Sequence, residues 1–153
     1  NIFLIISFIF VTMIVLYFII YKEKTNQMKQ TDDMQLLENN SFYSNHVEPI
    51  FIKNCIACHH DKKKLGGLNM LSPSKIHLGG KNGSVITIGN AYKSEIYKRL
   101  ILPISNEKHM PKGKDSLTKN EIKLIEWWIN SGASFTKKTD DFIFPDEIKS
   151  ILN

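Results

Sequence analysis

Twenty consecutive positions, Ile2 to Tyr21, carry no charged side chain. At about 1.5 Å of rise per residue they make about 30 Å of helix, the thickness of a bilayer's hydrocarbon core. The run therefore predicts a retained transmembrane helix over 1–21. A cleaved signal peptide would show a shorter apolar core, about 7–15 residues, ending at small residues, and this run has neither. A buried core helix is a poor account of a surface that is apolar on every side. The chain opens at Asn1 with no initiator Met and no positive residue before the run, so further residues are expected upstream.

All 20 Lys and Arg and all 15 Asp and Glu lie after Tyr21, so the net charge of +5 belongs entirely to residues 22–153. That balance is mildly basic and spread out. No Arg-rich or aromatic-interleaved stretch supports nucleic acid as a partner; acidic proteins or anionic lipid head groups suit the charge better. With 42% hydrophobic and 23% charged residues, one ordinary folded core is expected.

From Lys22 the text turns polar, and 22–41 reads as a tether, helical where it leaves the membrane. Apolar positions then recur at helical spacing through Val47, Ile50, Phe51, Cys55 and Cys58. Asn45 with Glu48 offers a capping box, and Pro49 is tolerable in a first turn. This predicts a helix carrying both cysteines near its C-terminal end. A glycine-punctuated middle comes next: a basic loop 61–67, a turn at Ser72-Pro73-Ser74, the loop 79–83, and an extended piece at Val85–Ile88. A second helix is expected from Lys93 or Ser94 to before Pro103. The last begins at the capping box Thr118–Glu121, shows the stripe Ile122, Ile125, Trp128, Ile129, and ends at Gly132. Trp127 and Trp128 are neighbours, so only Trp128 is expected to face inward. The folded domain spans 42–135, and 136–153 is a C-terminal tail.

The only two cysteines, Cys55 and Cys58, stand three apart with His59 directly after. A structural zinc site needs four protein ligands, and none of His46, His77 and His109 sits at finger spacing. Thiol redox motifs open a helix after a strand, whereas this one closes a helix. Cys-x-x-Cys-His is the attachment signal of a c-type haem: both thiols lie on one face, each able to add to a vinyl group, with His59 held against the iron. One covalent haem c is expected, bound by Cys55, Cys58 and His59. His60 is expected to be its solvent-facing neighbour.

Haem iron in an electron carrier takes a second axial ligand. Met28 and Met34 fall in the tether and Met70 in a core-like stretch. Met110 stands in a loop 51 residues after His59, pinned by Pro111, and is the expected ligand, with His109 beside it as the rival.

In order along the chain come Cys55-Ile56-Ala57-Cys58-His59, Gly66-Gly67-Leu68, Gly79-Gly80, Ser94, Met110-Pro111, Leu117 with Glu121-Ile122, Trp128-Ile129 and Gly132-Ala133. This ordered set resembles the cytochrome c domain first named from planctomycetes, from about Ile50 to Phe135. The resemblance implies an all-α, small cytochrome c-like domain around one covalent haem, His59 and Met110 as axial ligands, and electron transfer. The chain departs from the family pattern in having no proline before Gly89 and no large catalytic domain after the haem domain.

Taken together, the sequence predicts a membrane-anchored monohaem cytochrome passing single electrons, not an enzyme in itself. It is expected free or as a subunit of a respiratory-type complex, with redox proteins or other subunits as partners. A haem-based ligand binder or sensor with a displaceable Met110 is the alternative. Haem of this kind is attached outside the energy-converting membrane, which predicts the bacterial inner membrane with the haem domain in the periplasm. Lys22 and Lys24 at the outer end run against the charge rule; the haem argument outweighs them.

Overall fold

The computed structural model describes residues 2–153, with the side chains of 3–5, 7–8 and 32–39 outside the described set. It divides into two compact units, the first ending at Leu37 and the second spanning Glu38–Asn153.

Helix α1 runs unbroken over Ile2–Asn39. The expected tether is therefore helical almost throughout, since no glycine or proline interrupts it. The Thr12 and Thr25 hydroxyls donate back to the carbonyls of Ile9 and Lys22, at 2.8 and 2.9 Å. The described apolar side chains of Ile9–Tyr21 are exposed around the whole helix. Among the described residues, no helix is long and apolar enough to cross a membrane. The predicted span 1–21 falls in part on Asn1 and on the side chains of 3–5 and 7–8, which lie outside the described residues.

The second unit opens with a π-helical turn at Tyr43–Val47, then α2 (Glu48–Asn54) and a minimal hairpin of β1 (His59–His60) with β2 (Lys63–Lys64). Next come α3 (Pro73–Leu78), α4 (Glu95–Ile101), α5 (Lys119–Asn130) and α6 (Asp146–Leu152), with three short 3-10 turns between them. The predicted cap at Asn45 does not form. Ser41 takes that role, its Oγ accepting the Ser44 N–H at 3.1 Å. The turn at Ser72–Ser74 proves to be the start of α3, where Ser72 Oγ accepts the Lys75 N–H and Pro73 sits in the first turn, as its fixed φ favours.

Helix α5 is the centre of the core. Thr118 Oγ1 accepts the Glu121 N–H at 3.2 Å while Glu121 Oε2 accepts the Thr118 N–H at 2.8 Å, the reciprocal pair the sequence predicted. Leu124, Ile125, Trp128 and Ile129 are buried, and Gly132, at φ 106°, ends the helix where a side chain would be strained. Trp128 is fully buried, ringed by Tyr43, Phe51 and Phe135 at centroid distances of 5.3, 6.2 and 5.2 Å. Its Nε1 donates to the Ser134 carbonyl at 2.9 Å.

Trp127 is also used. Phe42, Phe142 and Phe144 pack on it at 4.9, 5.0 and 4.9 Å. Two of those rings come from the segment read as a C-terminal tail. That segment is instead tied to the domain's entry: Phe42 N–H donates to the Lys137 carbonyl at 2.9 Å, Ser41 pairs with Lys138, and Ile148 is buried. Adjacent tryptophans can both be sheltered because the tail supplies a second apolar surface. Truncating the buried Ile148 to Ala should lower unfolding free energy by about 2–4 kcal/mol in denaturant titration; an unchanged midpoint would show that the tail does not pack on its own domain.

Candidate functional site

Helix α2 ends at Asn54, so the cysteines are not within it. Cys55 is the C-cap, its N–H donating to the Phe51 carbonyl at 2.8 Å, and Cys58 and His59 come after it in tight turns closed on the Cys55 carbonyl, both at 3.1 Å. The helix cannot continue because the chain reverses at once, pairing His59 with Lys64 and His60 with Lys63. Both thiols are free and partly buried. The His59 carbonyl accepts the Met70 N–H at 2.8 Å, which sets buried Met70 alongside the histidine. His60 is half-buried and its Nδ1 accepts the Lys62 N–H at 3.4 Å, so it stands in the turn rather than free in solvent.

A second wall comes from α4 and the loop after it. Ser94 precedes α4, but its buried hydroxyl serves the preceding loop, accepting the Thr87 N–H at 2.8 Å and donating to the Asn90 carbonyl at 2.9 Å. Met110 N–H donates to the Arg99 carbonyl at 3.1 Å, fastening the loop to α4. Between the walls is a cavity of about 540 Å³ lined by Cys55, Cys58, His59 and Met110 together, within the size range of cofactor sites. Met70, Leu68, Val85, Ile96 and Leu100 add apolar surface. His109, the rival ligand, does not line it: the ring is 3% exposed and both its nitrogens have partners in the fold.

Glycines let two loops close against each other at the cavity's edge. Lys81 N–H donates to the Gly66 carbonyl at 2.8 Å, and a Cβ on Gly80 would stand 2.8 Å from that same carbonyl oxygen. Gly79 adopts φ 75° and a Cβ there would collide with the Gly83 carbonyl. Both the close approach and the positive φ demand glycine.

Burial pushes the Cys55 thiol up to about 12, outweighing Lys114. So protonated a thiol is a poor nucleophile for thiol exchange. Burial also pushes the His59 imidazole below its ordinary value, favouring the neutral form that metal ligation requires. One ring nitrogen, Nδ1, is buried with no hydrogen-bond partner, a group the folded chain leaves unsatisfied. The cavity's rim is basic. Lys81, Lys93, Lys98, Arg99, Lys112 and Lys114 line it, with Glu95 the one acid, already paired to Arg99 at 2.8 Å.

Residues 55–113 match the family model of planctomycete cytochrome C. Comparison with curated proteins and with solved structures finds no match. The cytochrome c match begins at Cys55 and ends just past Pro111, so it covers the attachment motif, both glycine loops and Met110. It stops short of α5, where the sequence resemblance had continued. The family's cofactor is a covalently bound haem c, and Cys55 and Cys58 are both present for it. The residues fit that group: two unpaired thiols three apart, an imidazole with an unsatisfied nitrogen, and apolar walls around one cavity.

The apolar walls went unread at the sequence level, apart from Leu68 in the Gly-Gly-Leu element. Met70 was read as core only, and it is both core and cavity lining. In haem-loaded protein, denaturation in acidic organic solvent should leave a polypeptide heavier by one haem, and the Cys55→Ala/Cys58→Ala double variant should lose that mass in the same spectrum.

Proposed function

We propose that this chain is a membrane-anchored monohaem c-type cytochrome that passes single electrons, free or as a subunit of a respiratory-type membrane complex. One observation carries the proposal: Met110, read from a loop 51 residues beyond His59, lines a single cavity with Cys55, Cys58 and His59 of the attachment motif. Haem-based electron transfer is the activity of the matched family. When bound, the haem supplies an iron that cycles between its ferric and ferrous states.

Each residue's part derives from its place. Cys55 and Cys58 would fix the group through two thioethers, and the short turns between them hold their spacing. Neutral His59 would supply one axial nitrogen. Met110 would supply the other ligand, a thioether sulfur, which raises the potential relative to a second histidine. Met70 is the weaker candidate for that place. It is buried in the core, and its backbone N–H is bonded to the His59 carbonyl. The apolar walls exclude water, and the surplus of lysine around the mouth suits an acidic redox partner.

Membrane anchoring rests on Ile2–Tyr21, whose described apolar side chains are exposed. Haem of this kind is attached outside the energy-converting membrane, which supports a domain in the periplasm held by the bacterial inner membrane. Tethering would keep the domain near its partners and raise its effective concentration there. Full-length chain should sediment with membranes and be released by detergent, while a variant beginning at Glu38 should stay in the soluble fraction; a soluble full-length chain would end the anchoring proposal.

The alternative, a gas or small-anion binder, differs at one bond. With Met110 bound, oxidised protein shows the weak far-red band of sulfur-ligated haem, and reduced protein takes up carbon monoxide slowly. Met110→Ala should abolish the band and speed carbon monoxide binding by about two orders of magnitude or more. Rapid binding by the unaltered protein at neutral pH would favour the sensor reading.

A further inference from the structure

The histidine beside Met110 has no place in the proposed chemistry, yet it is among the most buried polar residues of the domain, at 3% exposure. Its Nδ1 lies 2.7 Å from the Leu102 carbonyl oxygen. A carbonyl can only accept, so Nδ1 carries the hydrogen. In the neutral ring Nε2 is then an acceptor, and Ser116 Oγ, 3.2 Å away, donates to it. The tautomer is thus set by the fold.

Those partners lie on the two sides of Met110. Leu102 closes α4, and Ser116 stands two residues before the cap of α5. The imidazole therefore bridges the ends of the loop 102–116. Two backbone bonds complete the brace: His109 N–H to the Asn106 carbonyl at 3.0 Å, and Met110 N–H to the Arg99 carbonyl at 3.1 Å. The loop is rich in polar and charged residues and exposed at most positions. Without that bridge, few interior contacts hold it.

We propose that His109 is a positioning residue for the sixth-ligand loop: by joining Leu102 to Ser116 through a buried imidazole, it keeps Met110 at the cavity and limits its departure from the iron. The inference rests on the reading of Met110 as ligand. A thioether bond to haem iron is a reversible contact, so the fraction of time it is broken depends on how firmly the backbone carrying the sulfur is held. Both bonds are made to a single buried ring within the fold.

The test uses full-length, haem-loaded protein and reads the far-red band of the oxidised form together with carbon monoxide uptake by the reduced form. His109→Ala should keep its covalent haem, lose most of the band and bind carbon monoxide about tenfold faster. In His109→Asn the amide N–H occupies the place of Nδ1–H, and most of both signals should return. Ser116→Ala, which removes only the Nε2 partner, should fall between and serves if His109→Ala does not mature. Ile148→Ala destabilises the domain away from this loop and should leave both signals unchanged. The proposal is overturned if His109→Ala, or Ser116→Ala in its place, matches the unaltered protein in band and uptake rate while Met110→Ala loses the band. If Met110→Ala keeps the band, the ligand reading itself fails and this inference fails with it.

Discussion

Phe51 couples the domain's core to its chemistry. Its ring packs on Tyr43 and Trp128, both at centroid distances of 6.2 Å, and its carbonyl accepts the N–H groups of Cys55 and Ile56 at 2.8 and 3.1 Å. The first thiol is therefore positioned by the same residue that closes the aromatic centre. Burial of such a ring contributes about 1.5–3 kcal/mol, so the attachment turn is referenced to one of the more stable points of the fold. The cavity's other parts hang from comparable anchors, Met70 from the His59 carbonyl and Met110 from α4, and the loop before α4 is held by the Gly89 N–H on the Ile129 carbonyl at the end of α5.

This arrangement explains how a unit of modest size keeps an open cavity. Helix α5 and the rings around Trp128 and Trp127 supply the apolar packing, while Leu68, Val85, Ile96 and Leu100 line the cavity. A side chain layer there would fill the space reserved for a flat apolar group. The lysines cluster at the mouth because the walls behind them are apolar, and cations with long stems can cover such walls while their heads remain in water.

Much of this was legible in the sequence where short-range physics decides. The capping box at Thr118, the stripe through Trp128, the stop at Gly132 and the five-residue attachment motif all depend on neighbours within a few positions. The failures came where distant segments intervene. The helix before the cysteines stops at Asn54 because a hairpin turns the chain, and nothing local to Cys55 announces that His59 will pair with Lys64. What the tail packs on was not legible, because its apolar cluster, Phe142 and Phe144, meets Phe42 and Trp127 only after the ends of the domain come together. Met110 was the expected ligand and His109 its rival; the hydrogen bonds to Leu102 and Ser116, which give His109 a different place, join residues seven positions away on either side.

The meeting of Ser41 with Lys138, and of Phe42 with Lys137, closes the polypeptide into a loop at its own entrance. Tension arriving along the backbone from α1 would be borne first by that clasp and by the stacked rings beneath it. The thiols, the imidazole and the thioether lie further along the covalent path, sheltered from mechanical load. A pull on the chain would thus be met at the doorway before it reached the cavity.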